Sequence, residues 1–312
     1  MHLPNPDEAT RLLSQWTGGA DPRLLGQGME GLVYEIDQDR VAKVWFSESQ
    51  ASLERTRAFY DALGDKAFEF AMPRILEVNV VDGRCVTIEQ RLAGTTMSDR
   101  LTGGRITQSE ARSTFIDVLA QLASSGPLPE ARALSVMDEE VSLYDAAEEF
   151  PDALGALAAR RLSRFRSVLD PAVENLDKKF DALRARLREI DSGRRSVVHG
   201  DMVLPNILVD DAGTPTAVID WGFFTTEGDP VFDASVAASI FNMYGENALD
   251  TELGLYEQIE ERLGCERDAL LVYRAAYSLI TANAYDAEGK DGHFAWCVAA
   301  LNRPDVVRAL LG

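Results

Sequence analysis

Cysteine is scarce in this 312-residue chain: Cys85, Cys265 and Cys297 stand apart, with no CxxC pair among them. An odd, scattered set of this kind supports neither a disulfide framework nor a structural zinc site, so core packing is its default role. No apolar run approaches the ~20 residues that span a bilayer, and Met1 to Glu8 lack the basic and apolar regions of a signal peptide, so cytoplasmic residence is expected. Positive charge is also short, with 31 Lys and Arg against 51 Asp and Glu and a net charge of −20. That balance argues against nucleic acid or an anionic membrane as partner and is compatible with a cationic small molecule. Repeats and low-complexity stretches are missing. What remains, 46% hydrophobic and 26% charged, is an ordinary soluble globular composition, long enough for two lobes and expected as a monomer or homodimer.

Against that background one stretch carries chemistry. His199-Gly200-Asp201-Met202-Val203-Leu204-Pro205-Asn206 is followed, 14 positions after Asn206, by Ile219-Asp220-Trp221. The apolar runs Ser196 to Val198, Ile207 to Val209 and Ala217 to Ile219 read as short buried strands, which puts each polar group at a strand end. Asp210 to Pro215 is rich in turn formers, so a hairpin can fold Asp220 back beside Asn206 and Asp201. Phosphoryl transfer from a nucleotide needs one carboxylate to accept the hydrogen bond of the attacking hydroxyl, and further oxygen ligands to hold Mg²⁺ on the phosphates. Asp201, Asn206 and Asp220 supply those groups, while Gly200 permits a tight backbone and His199 can hydrogen-bond its neighbours. The bland alternative is three solvated loop residues beside apolar strands.

Upstream, Leu24 to Ile36 reads as strand, glycine turn and strand, with Gly26, Gly28 and Gly31 letting the backbone approach a phosphate chain. A dinucleotide-binding glycine cluster opens a helix; here Leu32 to Ile36 continues as a strand, as in kinases. The next strand, Arg40 to Phe46, carries Lys43 in an apolar run, either snorkelling to solvent or binding phosphates with a helix glutamate as partner. Ser47 to Leu63 has helical spacing and offers Glu54 for that role, with Glu48 as competitor. Two strands later, Gln90-Arg91-Leu92-Ala93-Gly94 suits a hinge whose backbone, at Gln90 and Leu92, could meet adenine.

With these motifs in order, residues 20 to 245 resemble the aminoglycoside phosphotransferase and choline kinase-like family of small-molecule kinases, and Gly228-Asp229-Pro230-Val231-Phe232-Asp233 resembles that family's Gly-Asp-Pro-x-x-Asp stretch. The resemblance implies an α+β, two-lobe protein kinase-like fold, with a small antiparallel β-rich lobe over 1–90 and a larger, mainly helical lobe over 91–312. It also implies ATP or GTP with Mg²⁺ as cofactors and transfer of the γ-phosphate to a hydroxyl of a small molecule, an aminoglycoside or other antibiotic first, with choline, a sugar, homoserine or a macrolide as alternatives. A non-catalytic nucleotide-binding module is the reading from another class. By resemblance Asp201 is the catalytic base, Asn206 and Asp220 the Mg²⁺ ligands, Lys43 the phosphate-binding lysine and Asp233 a brace for the catalytic loop. Gln90 stands where the family usually has an acid. Protein kinases fit less well, since Gly200 replaces their Arg and Trp221 their Phe.

The second lobe reads as helical. Thr107-Gln108-Ser109-Glu110 is a capping box, Asp170-Pro171 opens a helix reaching Ile190, and Asp229-Pro230 caps another. Thr251 to Leu263, Glu266 to Asp286 and Phe294 to Leu301 read as further helices. Acidic residues gather before the catalytic loop, and Asp138, Glu139 and Glu140 are expected either to contact a cationic acceptor or to form a solvated face.

Overall fold

The computed structural model describes residues 6–28 and 30–312. Met1 to Asn5, part of the stretch that lacks signal-peptide character, and Met29 in the glycine loop lie outside the described residues. The chain divides into two compact units: the described residues up to Thr96 with Leu208–Ile219, and Met97–Ile207 with Asp220–Gly312. The first unit thus runs past the expected boundary at residue 90. Thr95 and Thr96 pair antiparallel with Val209 and Leu208, which ties the link and the later hairpin to the β-rich unit.

In the first unit, α1 (Pro6–Thr17) precedes a five-stranded antiparallel sheet of β1 (Arg23–Gln27), β2 (Gly31–Glu35), β3 (Arg40–Trp45), β4 (Ile75–Val81) and β5 (Arg84–Gln90), in the order β1-β2-β3-β5-β4. The two-residue period of a strand sends alternate side chains to opposite faces. Ala42 and Val44 of β3 therefore join Val86, Ile88, Leu12 and Leu13 in one core cluster. Trp45 points the other way and packs with Cys85 and with Leu53 of α2 (Gln50–Gly64), and Lys43 shares its parity. Helix α2 begins at Gln50 because extended Ser49 caps it, its hydroxyl accepting the Ser52 N–H at 3.1 Å. The hairpin Ile207–Val209 and Pro215–Val218 turns through Asp210, whose Oδ1 accepts the N–H groups of Ala212 and Thr214, both at 2.9 Å. A short Asx-type turn of this kind is what Asp210 to Pro215 was expected to form.

The second unit is helical: α3 (Met97–Thr102), α4 (Gln108–Ala123), α5 (Phe150–Leu169), α6 (Leu176–Ile190), α7 (Pro230–Ile240), α8 (Ala248–Leu263), α9 (Arg267–Thr281), α10 (Gly292–Asn302) and α11 (Pro304–Leu311). The strands Ser196–Val198 and Thr226–Gly228 pair antiparallel within it. The capping box forms at α4: Thr107 Oγ1 accepts the Glu110 N–H at 3.2 Å, and Glu110 Oε2 accepts the Thr107 N–H at 2.7 Å. The helix expected from Asp170-Pro171 starts later. Asp170 closes α5, Asn175 takes a left-handed φ of 52°, and α6 begins at Leu176. Helix α9 packs against α5, α6, α7, α10 and α11, which explains why every residue from Ala269 to Thr281 is buried. Helix α7 is also buried along its whole length, and it carries the group that anchors the loop at Gly200.

Candidate active site

The second unit brings Asp201, Asn206, Asp220, His199 and Asp233 together. The loop after the strand Ser196–Val198 is held from beneath by Asp233 of α7, whose Oδ1 accepts the Gly200 N–H at 2.8 Å, with the His199 N–H as a second donor. Gly200 has a φ of +72°, and a Cβ there would lie 2.6 Å from the Phe224 carbonyl oxygen, so only glycine suits the position. The Thr225 hydroxyl donates to the His199 carbonyl at 3.2 Å. The His199 ring is buried against Trp221, 4.4 Å between centroids, and its Nδ1 accepts the Asp201 N–H at 3.3 Å. At the far end of the loop the Asn206 amide donates to the Asp201 carbonyl at 2.9 Å. Helix α7 is set by Asp229, whose carboxylate caps Val231 N–H at 2.8 Å and also takes the Ser192 N–H at 2.7 Å and the Tyr273 hydroxyl at 3.1 Å. The expected Asp229-Pro230 start is where the helix begins.

Burial and, next, the nearby negative charge of Asp220 push the Asp201 carboxyl up to about 7. A carboxylate with a pKa near neutrality can orient a hydroxyl and take its proton late in a loose transition state. Burial also raises Asp233, to about 6, against the pull of its two backbone donors. Asp220 is exposed and has a left-handed φ of 64°, a strained conformation for a non-glycine residue. The donor set suits Mg²⁺: the Asn206 amide nitrogen is committed to Asp201, which leaves its carbonyl oxygen, and Asp220 adds a carboxylate. Among the described residues no group of three or more His, Cys, Asp and Glu could hold a metal. Two oxygen ligands are what a cation sharing its shell with phosphates and water requires.

In the first unit the predicted phosphate-binding residues separate into different roles. A Cβ on Gly26 or Gly28 would meet nothing within 4 Å, whereas one on Gly31 would lie 2.5 Å from the Val44 carbonyl oxygen. Gly31 is thus required by the close approach of β2 to β3. Lys43 does not pair with Glu54. Its Nζ lies 3.1 Å from Glu30 Oε2 and 3.6 Å from the centroid of the Trp45 ring, while Glu54 faces Arg57 at 3.8 Å on the exposed side of α2. The buried stripe of that helix is Leu53, Phe59, Tyr60 and Leu63, and Glu54 lies off it. The Gln90 N–H donates to the Arg74 carbonyl at 3.0 Å, so that one donor is taken up by the neighbouring segment. Leu92 follows, half-buried.

The acidic stretch is not helical, and its partly exposed acids are matched in part by arginines. Asp138, Glu139 and Glu140 sit in a turn, and arginines of α5 reach the first two. Asp138 bonds to Arg161 and, at 2.8 Å, to Arg164; Glu139 bonds to Arg160 at 2.9 Å. Burial opposes ionisation of Asp138, yet the Arg161 and Arg164 guanidiniums hold its carboxyl below its usual range. Glu140 stays exposed. The turn meets the segment after Asp220 through its backbone, the Met137 N–H donating to the Phe223 carbonyl at 2.6 Å. Sequence reading missed the aromatic face there. Phe223 stacks on Tyr285, centroids 5.9 Å apart and planes 13° from parallel. Tyr285 and Tyr244 are among the exposed large side chains. Burial and then the Asp201 charge push the Tyr285 hydroxyl up to about 12. Phe223 was findable, three residues after Asp220; no local signal links it to Tyr285.

The profile of the phosphotransferase enzyme family matches residues 21–268. The chain belongs to that family. No curated protein matches the phosphotransferase by sequence, but solved structures share its fold. One is aminoglycoside phosphotransferase APH(3'')-Id from Streptomyces rimosus in complex with ADP and streptomycin, with a TM-score of 0.57 and 19% identity over 88% of this chain and 98% of that one. Another is macrolide 2'-phosphotransferase MphH from Brachybacterium faecium, with a TM-score of 0.55 and 19% identity over 96% and 99%. A third is wild-type aminoglycoside 2'-phosphotransferase-IIIa with GDP, with a TM-score of 0.59 and 13% identity over 97% and 99%. The phosphotransferase therefore has the α+β, kinase-like fold expected of it, with a small antiparallel sheet unit and a helical unit. Among its described residues no helix is long and apolar enough to cross a membrane.

Proposed function

We propose that the enzyme transfers the γ-phosphate of ATP or GTP to a hydroxyl of a small molecule, an antibiotic of the aminoglycoside type or another class, in the cytoplasm where those nucleotides are held. The observation that carries this reading is the Asp201 carboxyl, half-buried, raised to about 7 and fixed at both ends of its loop by Asp233 and Asn206. Asp201 would hold the acceptor hydroxyl in line and take its proton as the phosphoryl group departs. Asn206 and Asp220 would hold Mg²⁺, which when bound neutralises charge on the phosphates. Lys43 and the backbone around Gly26 and Gly28 would receive the phosphate chain. The fold relatives support nucleotide use, since one holds ADP and another GDP.

Within this reading, one observation favours an acceptor with an apolar face, such as a macrolide, over a polycation. The carboxylates of Asp138 and Glu139 are already matched by arginines, and a polycationic acceptor would have to displace them. The Phe223–Tyr285 stack, whose first ring stands three residues after Asp220, instead offers flat apolar surface. The test is a panel of aminoglycosides, macrolides and small amino alcohols incubated with Mg-ATP and Mg-GTP and read by a mass gain of one phosphate. Asp201→Ala should lower kcat about 10²- to 10⁴-fold, the usual worth of a positioned acid–base group, with nucleotide affinity retained. Undiminished turnover in that variant would remove Asp201 from the chemistry.

A further inference from the structure

The Lys43 ammonium has two close neighbours that differ in how firmly they are held. Trp45 is fixed: it is 8% exposed, packs with Leu53 and Cys85, and its indole N–H donates to the Thr87 hydroxyl at 3.0 Å, which donates onward to Glu89 Oε1 at 2.6 Å. Glu30 has a side chain 45% exposed on the loop between β1 and β2. Its backbone is pinned, since the Glu30 carbonyl accepts the Phe46 N–H at 2.8 Å, so the carboxylate can swing without any change in the chain path. A ring face attracts a cation without occupying its remaining donor directions. A carboxylate on the same ammonium competes with any other anion.

We propose that Glu30 is the positioning residue of Lys43 in the nucleotide-free enzyme, a placeholder anion that the phosphates of the nucleotide displace, while Trp45 keeps the amine aimed through the exchange. The inference rests on the phosphotransferase reading above and adds the residues that govern its nucleotide step. It replaces the helix glutamate expected to hold the lysine, because Glu54 is turned to Arg57. Displacement is easy on both sides. The half-exposed carboxylate is rehydrated as it leaves, and a polyphosphate brings more negative charge to the ammonium than one carboxylate does. Glu30 thereby lowers the apparent affinity for nucleotide and keeps Lys43 from collapsing onto other acids while the site is empty.

Calorimetry of the full chain with Mg-ATP and Mg-GTP, without acceptor, tests this directly. Glu30→Gln keeps the shape and removes the charge, and should tighten nucleotide binding about two- to fivefold, the hold of a partly exposed ion pair. The nucleotide KM should fall in step while kcat changes little. The same substitution in a Lys43→Ala background should give no gain, because the competition has lost its object. Trp45→Leu should weaken nucleotide binding more than Trp45→Phe does, with circular dichroism to show that both fold; if the leucine variant does not fold, the Glu30 and Lys43 cycle decides alone. Unchanged affinity in Glu30→Gln, or an equal gain in the Lys43→Ala background, would overturn the proposal. A wild-type chain that binds neither nucleotide would overturn the phosphotransferase reading, and this inference with it.

Discussion

The loop from His199 to Asn206 and the glycine loop from Gly26 to Gly31 are built in opposite ways. Every turn of the first is held by a buried group: Asp233 on Gly200, Thr225 on the His199 carbonyl, Asn206 on the Asp201 carbonyl. In the second, all five residues of β1 are exposed, and Gly26 and Gly28 face open space. The difference suits the roles proposed for the two loops. A group that handles a proton needs a fixed position in dry surroundings, where its charge state can be tuned. A loop proposed to receive phosphates needs room for them to approach, and here the Gly28 N–H is still held by the Gly31 carbonyl at 3.0 Å.

Substitution at the glycines should break this contrast most visibly. Gly200→Ala forces a side chain at a φ of +72° into Phe224, and should cost about 3 kcal/mol or more and abolish phosphate transfer. Gly28→Ala should change stability by less than about 0.5 kcal/mol yet weaken nucleotide binding. Urea unfolding and nucleotide titration of the two variants separate these outcomes, and equal stability losses would show that the loops are alike in rigidity.

Asp233 sharpens the comparison through pH. Its folded pKa, about 6, lies above the unfolded value of about 4. Below pH 4 the carboxyl is protonated in both states. As pH rises from about 4 to about 6 the unfolded chain loses that proton first, so this group's contribution to stability is lost by up to about 3 kcal/mol. Relative to Asp233→Asn, the wild type should therefore weaken across that window; a constant difference would mean that Asp233 is ionised in the fold. The smallest effect belongs to α2. Glu54→Gln should leave nucleotide affinity unchanged within about twofold, as expected of an exposed pair, and a tenfold loss would restore Glu54 as the holder of Lys43.

What could be read from the chain was set over short distances. The capping box at Thr107, the Asp229-Pro230 helix start and the Asp210 turn each involve groups within four residues of one another, and each formed as expected. Helix α1 went unread, although it closes one face of the sheet with Leu12 and Leu13, because an amphipathic segment declares a face and not its partner. The helix expected from Asp170-Pro171 begins only at Leu176. Proline is tolerated in a first helical turn, but here α5 ends at that point and left-handed Asn175 resets the direction of the chain.

By itself, then, the sequence determined the chemistry on offer: a carboxylate, an amide and a second carboxylate at strand ends, a glycine loop and a lysine on the strand that follows. Residue type and spacing suffice for that, because hydrogen-bonding capacity and strand parity are local properties. Only the tertiary structure decided which charges meet. Lys43 finds Glu30, 13 positions back, instead of the helix glutamate; Asp138 finds Arg161, 23 positions on; and Phe223 finds Tyr285 across the helical unit. The physical reason is that a charge or a ring takes the partner that packing leaves within reach, and packing is settled by the whole core.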